Sequence, residues 1–445
     1  MLRRIFTGLT AGAVSILLGF ILTGCGKGQT EPATAQEMRG SNGVELTLAT
    51  IYSTNYESIV NRFNESNNNG IKIKVEDYAF NCSRDAAINR LNMELAAGKG
   101  PDLIDFEAFP RREIYARQGL LLNLSAYFER DLNADDYFLI DTLAESGLYF
   151  IPSGFNIMSC YIPASVLPGE SGLSYEEYRA RISSRQLTSY TENQSAFLQN
   201  ACISLIPSCV DWEKMNCNFD CREFKELLEL SKFIGEAEAS ASDLPAQEAQ
   251  IPCSEALIRY PTDIRDIEKA AGGSVNFVGY PTVDGRGGSY AYLSTLTGIT
   301  TDTPYREESW EFIKYMLSDN ELQEYISLLM IPMKKSVCQE TVDECLHPFA
   351  KYEGHEITLN DDGSFSVDGV YMDQEYDPAP KISDEQAVKY NKLIEAADTL
   401  YDYDPSIYSI IEKEAQKYFS GSCQLEAATH EVQSRVSIYL AEQYG

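Results

Sequence analysis

Side chains that could perform covalent catalysis are few and scattered in this 445-residue sequence. The three histidines, His347, His355 and His430, all lie in the last quarter of the chain. A Gly-x-Ser-x-Gly turn, the mark of many serine hydrolases, does not occur. Carboxylates are abundant, and a glycosidase needs only two of them about 5–10 Å apart, yet no spacing in the sequence selects a pair. These residues therefore single out no catalytic group, and a glycoside hydrolase stays open as one hypothesis.

Cysteine is the other reactive side chain, and the sequence contains eleven. One of them, Cys25, ends an apolar stretch near the start of the chain. The remaining ten are an even number, which in an exported protein is compatible with disulfides. Cys217 with Cys221, and Cys338 with Cys345, are the local candidates, and their pairing stays open. A zinc site is not favoured because a second pair with ligand spacing is missing, so we expect neither a metal nor a cofactor.

The first 25 residues have the features of a secretory signal. Two arginines precede Ile5–Leu22, an apolar stretch without charges, and small residues lead up to Cys25. The tetrapeptide that ends at Cys25, Leu-Thr-Gly-Cys, resembles the bacterial lipobox, which implies cleavage before Cys25 and lipid attachment to its thiol. We therefore expect a signal peptide over residues 1–24 and a lipidated flexible linker over 25–43, with the protein held at the cell membrane and facing the cell exterior or the periplasm. An uncleaved transmembrane helix is the alternative.

Composition narrows the class of partner. Asp and Glu number 67 against 36 Lys and Arg, which gives a net charge of −31. Such a surface repels nucleic acid and anionic lipid headgroups alike. The remaining body after the linker is too long for one hydrophobic core at about 100–200 residues per domain. We expect an acidic protein of two or three domains that binds neither nucleic acid nor a bare lipid surface.

Hydrophobic periodicity predicts alternating strands and helices at the start of the body. Runs that alternate apolar and polar residues are typical of strands, and apolar residues three and four apart are typical of helices. Thr54 and Glu57 have the spacing of a capping box, which favours a helix start there. The predicted order is strand 44–48, helix 54–67, strand 71–75, helix 83–98 and strand 101–106. This alternation predicts a parallel sheet covered by helices on both faces.

Polar and aromatic residues follow two of these strands. Tyr52 and Asn55 come after the first strand, and Glu107 and Phe109 come after the third. Ligands of open parallel sheets bind beyond the carboxyl ends of the strands. We therefore expect these four residues to form one wall of a binding site.

The end of the chain has two predicted helices. Asp404 followed by Pro405 is typical of a capped helix start, and Gly421 ends that run. A second helix carries apolar residues at helical spacing from Leu425 to Tyr439. The preceding segment 352–380, rich in Asp, Gly and Tyr, predicts an extended hairpin or a loop insertion.

Several sequence motifs, taken in order, resemble those of family 1 extracellular solute-binding proteins, the receptors of ABC importers. Residues 91–127 are similar to the N-terminal signature of that family, with Leu-Ala-Ala-Gly98, Gly-Pro-Asp-Leu103 and Tyr-Ala-Arg-Gln-Gly119. Further similar segments follow at the positions where the family has its second-lobe helix, its return through the first lobe and its C-terminus, namely 219–230, 279–281, 310–314, 331–332, 410–421 and 432–436.

This resemblance implies an α/β protein with the two-lobe periplasmic-binding-protein-like fold of type II, with a cleft and a hinge between the lobes. The N-terminal lobe would comprise residues 44–152 and 293–340, and the C-terminal lobe residues 153–292 and 341–445. The implied function is that of a monomeric, non-enzymatic receptor. Its solute would be a mono- or oligosaccharide, captured by lobe closure and passed to ABC permease subunits. A partner of a membrane sensor kinase has the same fold and is the alternative.

Under this fold, further residues would face the solute from the hinge and from the second lobe. Sugars present apolar C–H faces and hydroxyl groups, which suit aromatic rings beside carboxylates, amides and arginine. Gly154 and Gly287-Gly288 lie near expected hinge crossings. The additional solute-binding candidates are Asn156, Tyr260, Tyr280, Asp284, Arg286 and Tyr408.

Overall fold

The computed structural model describes residues 43–51, 56–109, 112–145, 147–167, 172–191, 193–212, 214–241, 253–360, 364–375, 377, 379–397, 399–401 and 404–444. The predicted signal peptide, Cys25, Tyr52 and Asn55 lie outside these ranges. No helix among the described residues is long and apolar enough to cross a membrane.

Strands and helices alternate from residue 44 to residue 105, as the hydrophobic periodicity predicts. The helices are α1 (Tyr56–Ser66), α2 (Arg84–Ala96), α3 (Glu113–Arg117), α4 (Ser125–Asp131), α5 (Ile140–Ala144), α6 (Tyr175–Ser183), α7 (Gln194–Cys209), α8 (Arg222–Ala241), α9 (Pro261–Ala271), α10 (Arg306–Ser318), α11 (Asn320–Ser327), α12 (Lys335–Leu346), α13 (Asp384–Glu395), α14 (Pro405–Phe419) and α15 (Leu425–Tyr444). The strands are β1 (Val44–Thr50), β2 (Ile71–Asp77), β3 (Leu103–Asp105), β4 (Gly154–Pro163), β5 (Val210–Asp211), β6 (Asn216–Cys217), β7 (Ser254–Ile258), β8 (Val275–Phe277), β9 (Tyr290–Ser294), β10 (Thr297–Ile299), β11 (Ile331–Pro332), β12 (Ile357–Leu359), β13 (Ser364–Val367), β14 (Val370–Glu375) and β15 (Thr399–Leu400).

The first sheet has the strand order β10-β3-β1-β2. Strands β1, β2 and β3 are parallel, as predicted, and α1 and α2 are the crossovers between them. The fourth strand, β10, comes from much later in the chain and pairs with β3 in the antiparallel direction. Ser83 caps α2 by accepting a hydrogen bond from the backbone N–H of Ala86, which confirms the helix start predicted at that residue.

The second sheet is organised around β4. One edge of β4 pairs with β9 and then with β8, while the other pairs with β11 and then with β7. All four of these partners are antiparallel to β4, and β15 adds to the far edge of β9. The two sheets are therefore different in kind, one largely parallel and the other largely antiparallel.

Two hydrophobic cores cover these sheets. One core surrounds the first sheet and continues over the face of the second sheet that carries Phe155 and Ile157. The other covers the opposite face, where Cys160 and Ile162 contact helices of the second half of the molecule. Successive residues of β4 point to opposite faces, so this single strand separates the two cores.

The chain passes between the two sheets in three neighbouring segments, which are hydrogen-bonded to one another. Ile151 and Thr297 exchange backbone hydrogen bonds of 3.0 and 2.9 Å. The hydroxyl groups of Ser153 and Thr295 form another bond, and the N–H of Met333 donates to the carbonyl of Ser153 at 3.4 Å. These crossing segments, residues 150–154, 294–297 and 330–333, are the candidate hinge.

The two predicted hinge positions differ in their surroundings. Gly154 lies in the first crossing segment, where an added Cβ would be 2.7 Å from Met330 Cγ and 2.8 Å from the carbonyl oxygen of Ile331. Gly288 instead lies in a turn of the second sheet, where it pairs with Tyr280. Crowding at the crossing thus accounts for Gly154, whereas Gly288 lies six residues before Ser294, where the second crossing segment begins.

The C-terminal predictions are confirmed. Asp404 accepts hydrogen bonds from the N–H groups of Ser406 and Ile407 and so caps α14. The segment predicted as a hairpin or insertion contains the three-stranded sheet β12-β13-β14.

Candidate functional site

The carboxyl end of β3 lies directly against one of the crossing segments. Glu107, two residues after β3, accepts hydrogen bonds from the Ser294 hydroxyl at 3.0 Å and from the Thr295 N–H at 2.7 Å. Thr295 has φ +49°, a left-handed conformation that is unfavourable for a β-branched residue. The carboxylate of Glu107 therefore stabilises a strained turn between the sheets. The sequence predicts Glu107 as a solute ligand and gives no sign of this structural role.

A second carboxylate lies beneath Glu107. Asp105 is 4% exposed and accepts a 3.0 Å hydrogen bond from the Glu107 N–H. Burial, the largest cause, raises the pKa of Asp105 to about 8, against the effect of hydrogen bonds from backbone N–H groups and from Tyr56. Tyr56 is itself buried, and its hydroxyl lies 2.6 Å from Thr297 Oγ1. Asp105 and Tyr56 thus form a buried polar link from the first sheet to the crossing segment.

On the second sheet, Asn156 and Tyr292 are direct neighbours across β4 and β9. Cross-strand neighbours project to the same face with Cβ atoms about 4.5–5.5 Å apart. Both residues are half-buried, between fully buried neighbours on each strand. The side-chain oxygen of Asn156 is enclosed and has no hydrogen-bond partner. A buried polar atom without a partner costs free energy, so this oxygen would gain from a donor, although it has no exposed surface in this arrangement.

Tyr292 also contacts an aromatic residue near the end of the chain. Its ring centroid lies 5.3 Å from that of Tyr401, with the planes inclined by 57°. Tyr401 is placed there by β15, and its N–H donates a 2.8 Å hydrogen bond to the Ala291 carbonyl. Two aromatic rings therefore meet at an angle beside Asn156.

Charged groups of the first half of the molecule lie close enough to act on the pKa of Tyr292. Burial raises the pKa of Tyr292, the negative charge of Glu107 raises it further, and the Arg112 guanidinium opposes the rise. Arg112 and Tyr401 are half-buried as well. Asn156, Tyr292 and Tyr401 are neighbours, and Glu107 and Arg112 are close enough for their charges to act on Tyr292. We call these five residues the Tyr292 cluster.

The Tyr292 cluster combines the groups that sugar recognition requires. Tyrosine rings offer apolar faces, and the amide, carboxylate and guanidinium groups offer acceptors and donors in fixed directions. Two of its members, Glu107 and Asn156, are among the predicted site residues. Arg112, Tyr292 and Tyr401 are not, and Tyr292 is the middle residue of β9, a position that the strand-end rule does not select.

Three aromatic candidates are buried in the cores and present no surface to a solute in this structure. Phe109 packs against Phe106 with ring centroids 5.1 Å apart. Tyr280 is stacked on Tyr290 at 4.9 Å and inclined by 15°. Tyr408 is 6% exposed, and its hydroxyl donates to the Ser195 carbonyl at 3.1 Å.

The other three predicted solute-binding residues have no contact with the Tyr292 cluster among those found in the described residues. Tyr260 is the residue before α9, and it is half-buried with its hydroxyl against Cys345. Burial is the largest cause that raises its pKa. Asp284 and Arg286 are exposed in a turn and form an ion pair of 2.5 Å with each other. The structure thus does not bring these three residues together with Glu107 and Asn156, and their role stays a prediction.

Three cavities defined by described residues lie outside the Tyr292 cluster. The largest has a volume of about 770 Å³ and is lined by the end of α1 and the junction of α10 with α11. The others, of about 460 and 410 Å³, lie beside α13 and between α14 and α15. Among the described residues, no group of three or more His, Cys, Asp or Glu side chains could hold a metal ion.

Solved structures of solute-binding proteins share this architecture. An extracellular solute-binding protein family 1 member from Alicyclobacillus acidocaldarius matches with a TM-score of 0.53 and 15% identity, over 89% of this chain and 98% of that one. The sugar-binding protein MalE from Xanthomonas citri matches with a TM-score of 0.58 and 16% identity, over 90% and 98%. A cyclic α-maltosyl-1,6-maltose binding protein from Arthrobacter globiformis gives 0.56 and 12%, over 90% and 100%.

These similarities show that the chain has the two-lobe α/β fold of extracellular solute-binding proteins, which confirms the predicted fold class. Two designed esterases share the overall fold as well, so the fold by itself does not define an activity. No protein-family model and no curated protein sequence matches the chain.

Proposed function

We propose that the protein is a non-enzymatic extracellular receptor that captures a mono- or oligosaccharide and delivers it to the permease of an ABC transporter. The observation that carries this proposal is the Tyr292 cluster, in which two tyrosine rings and an unpartnered amide oxygen meet beside the crossing segments of a solute-receptor fold. The named sugar-binding proteins with this fold support the choice of solute.

Lobe closure is the proposed means of capture. Glu107 and Arg112 come from the first half of the molecule, whereas Asn156, Tyr292 and Tyr401 belong to the second sheet and its edge. A solute held by both groups stabilises the arrangement in which they are close, which is the differential affinity that a conformational switch requires. The crossing segments would then act as the hinge, with residues 44–152 and 293–340 moving against 153–292 and 341–445.

The proposed location is the outer face of the cell membrane. Cleavage before Cys25 and lipidation of its thiol would tether the folded body through the linker that ends at residue 43. The receptor would act as a monomer whose partners are the solute, the permease subunits and, through its lipid, the membrane.

Hydrolysis is not favoured by the carboxylates at this site. A glycosidase needs two carboxyl groups that both reach the glycosidic bond. Asp105, the acid next to Glu107, is 4% exposed and is engaged by backbone N–H groups. Glu107 itself already accepts two hydrogen bonds from the crossing segment.

Calorimetric titration of the purified protein with mono-, malto- and cyclo-oligosaccharides tests the proposal. We expect saturable binding of at least one sugar with a Kd of about 1 µM, equivalent to roughly −8 kcal/mol, and no release of reducing ends. Tyr292→Ala should weaken that binding at least about 10-fold, because an aromatic contact contributes roughly 1–2 kcal/mol. Tyr371→Ala, on the exposed strand β14, is the control and should bind as the wild type does. Absence of saturable binding across the panel, or equal affinity of the Tyr292→Ala variant, contradicts the proposal.

A further inference from the structure

A small hairpin connects α7 to α8, two helices of the second core, and brings two cysteines together. Cys209 is the last residue of α7, and Cys221 immediately precedes α8. Between them, β5 and β6 pair through Val210 and Cys217, and the N–H of Asn218 donates to the Cys209 carbonyl at 2.7 Å. Pairing of the strands therefore fixes the two ends of the hairpin next to each other.

The thiols at the base of this hairpin are in contact. Cys209 Sγ and Cys221 Sγ lie 3.7 Å apart, while the S–S bond of a disulfide is about 2.0 Å long. The two sulfur atoms must therefore approach each other by about 1.7 Å for the bond to form. Cys209 is 3% exposed, whereas Cys221 is half-buried and can be reached from solvent.

The other described cysteines near this hairpin have different neighbours. Cys217, which the sequence suggested as the partner of Cys221, has its thiol 3.4 Å from the Ser437 hydroxyl. Cys160 and Cys253 also contact each other, but both are enclosed at 0% and 3% exposure. An incoming disulfide can therefore reach Cys221 in the folded protein and cannot reach the Cys160 pair.

We propose that Cys209 and Cys221 are a disulfide-forming pair, oxidised by exchange with the disulfide of a thiol oxidoreductase outside the cell. The thiolate of Cys221 attacks one sulfur of that disulfide, forms a mixed disulfide and releases the other sulfur as a thiolate. The thiolate of Cys209 then attacks Cys221 Sγ and expels the second sulfur. The two cysteines lose two electrons and two protons, and the disulfide of the oxidoreductase gains them as two thiols.

The hairpin that this disulfide would close reaches the first core. The sulfur of Met215, at the tip of the hairpin, accepts a hydrogen bond of 3.8 Å from Nη1 of Arg117 on α3. Helix α3 packs on the first core through Tyr115. The bond would tie the base of the hairpin whose tip makes this contact. A disulfide here thus constrains a connection between the two halves that the solute is proposed to close.

The test uses the purified folded protein with oxidised glutathione as the disulfide, followed by alkylation, proteolysis and mass spectrometry. We expect a peptide that links Cys209 to Cys221, with loss of two hydrogens, and we expect dithiothreitol to reverse it. The Cys217→Ser variant should form the same link, and Cys221→Ser should not. Closure of so short a loop should also raise Tm by roughly 3–6 °C relative to the reduced protein.

Three results would overturn the proposal: alkylation of both cysteines after oxidation, a link from Cys217 to Cys221, or a stable glutathione adduct on Cys221. The readout is a peptide mass, so it does not depend on the solute. If the protein forms the Cys209–Cys221 link but binds no sugar, the proposed function is refuted and the proposal of a disulfide still holds.

Discussion

Replacing Asp105 with asparagine should change how stability depends on pH. The folded protein holds the Asp105 proton up to about pH 8 because burial disfavours the charged form, whereas the unfolded chain releases it near pH 3.8. Between these values the folded state binds more protons, so the free energy of unfolding falls as pH rises. The slope is about 1.4 kcal/mol per pH unit for one such group. This contribution is fully present below the pKa of the unfolded chain and is lost as pH approaches 8.

Asparagine has the same shape and does not titrate. Two groups face Asp105 in the wild type, the Tyr56 hydroxyl and the charge of Glu107. In the variant, the side-chain oxygen of the asparagine would still accept a hydrogen bond from the Glu107 N–H, and its amide can donate one to the Tyr56 hydroxyl. From pH 5 to pH 7 we therefore expect the stability of Asp105→Asn, relative to wild type, to rise by about 3 kcal/mol.

Urea unfolding at pH 5, 6 and 7 measures this difference, with the fluorescence of Trp212 and of the buried Trp310 as the signal. Asp141→Asn, an exposed carboxylate on α5, is the matched control and should shift stability equally at all three pH values. If the difference between Asp105→Asn and wild type is the same at pH 5 and pH 7, Asp105 does not hold its proton in the folded state and the reasoning fails.

Two further substitutions test packing and charge by the same unfolding assay. Glu414 is 1% exposed and accepts a 2.7 Å hydrogen bond from Arg435, so Arg435→Met should cost about 2 kcal/mol; a loss below about 0.5 kcal/mol would mean that the pair contributes little. Gly154→Ala brings a Cβ to 2.8 Å from the Ile331 carbonyl oxygen and should cost about 1–3 kcal/mol. Gly273→Ala, which has open space, should be nearly neutral, and equal losses at both glycines would refute the crowding argument.

The local sequence pattern was sufficient to predict those helices and strands that depend mainly on their own residues. The alternation of β1, α1, β2, α2 and β3 follows from apolar periodicity and capping residues, and it appears within a few residues of the predicted bounds. The cap of α14 at Asp404 is equally local. These features require no knowledge of distant contacts, which is why the sequence predicts them.

The candidate site depends on contacts between distant parts of the chain. Tyr292 meets Asn156 only because β9 pairs with β4 in one register, and it meets Tyr401 only because β15 joins the same sheet. A shift of one residue in either pairing would turn these side chains to the other face. Tyr280 shows the reverse case, since a strand-end position that suggested a ligand contact is occupied by a fully buried ring. Register and burial, not residue type, decided these outcomes.

The strand with which the described chain begins is an interior one. β1 lies between β2 and β3, and seven consecutive residues from Val44 to Thr50 pair with Ile71 to Asp77. If Cys25 is lipidated as proposed, a force applied along β1 would load all of these hydrogen bonds together instead of opening them one at a time. Under the proposed lipidation, such a force would be spread over the first sheet.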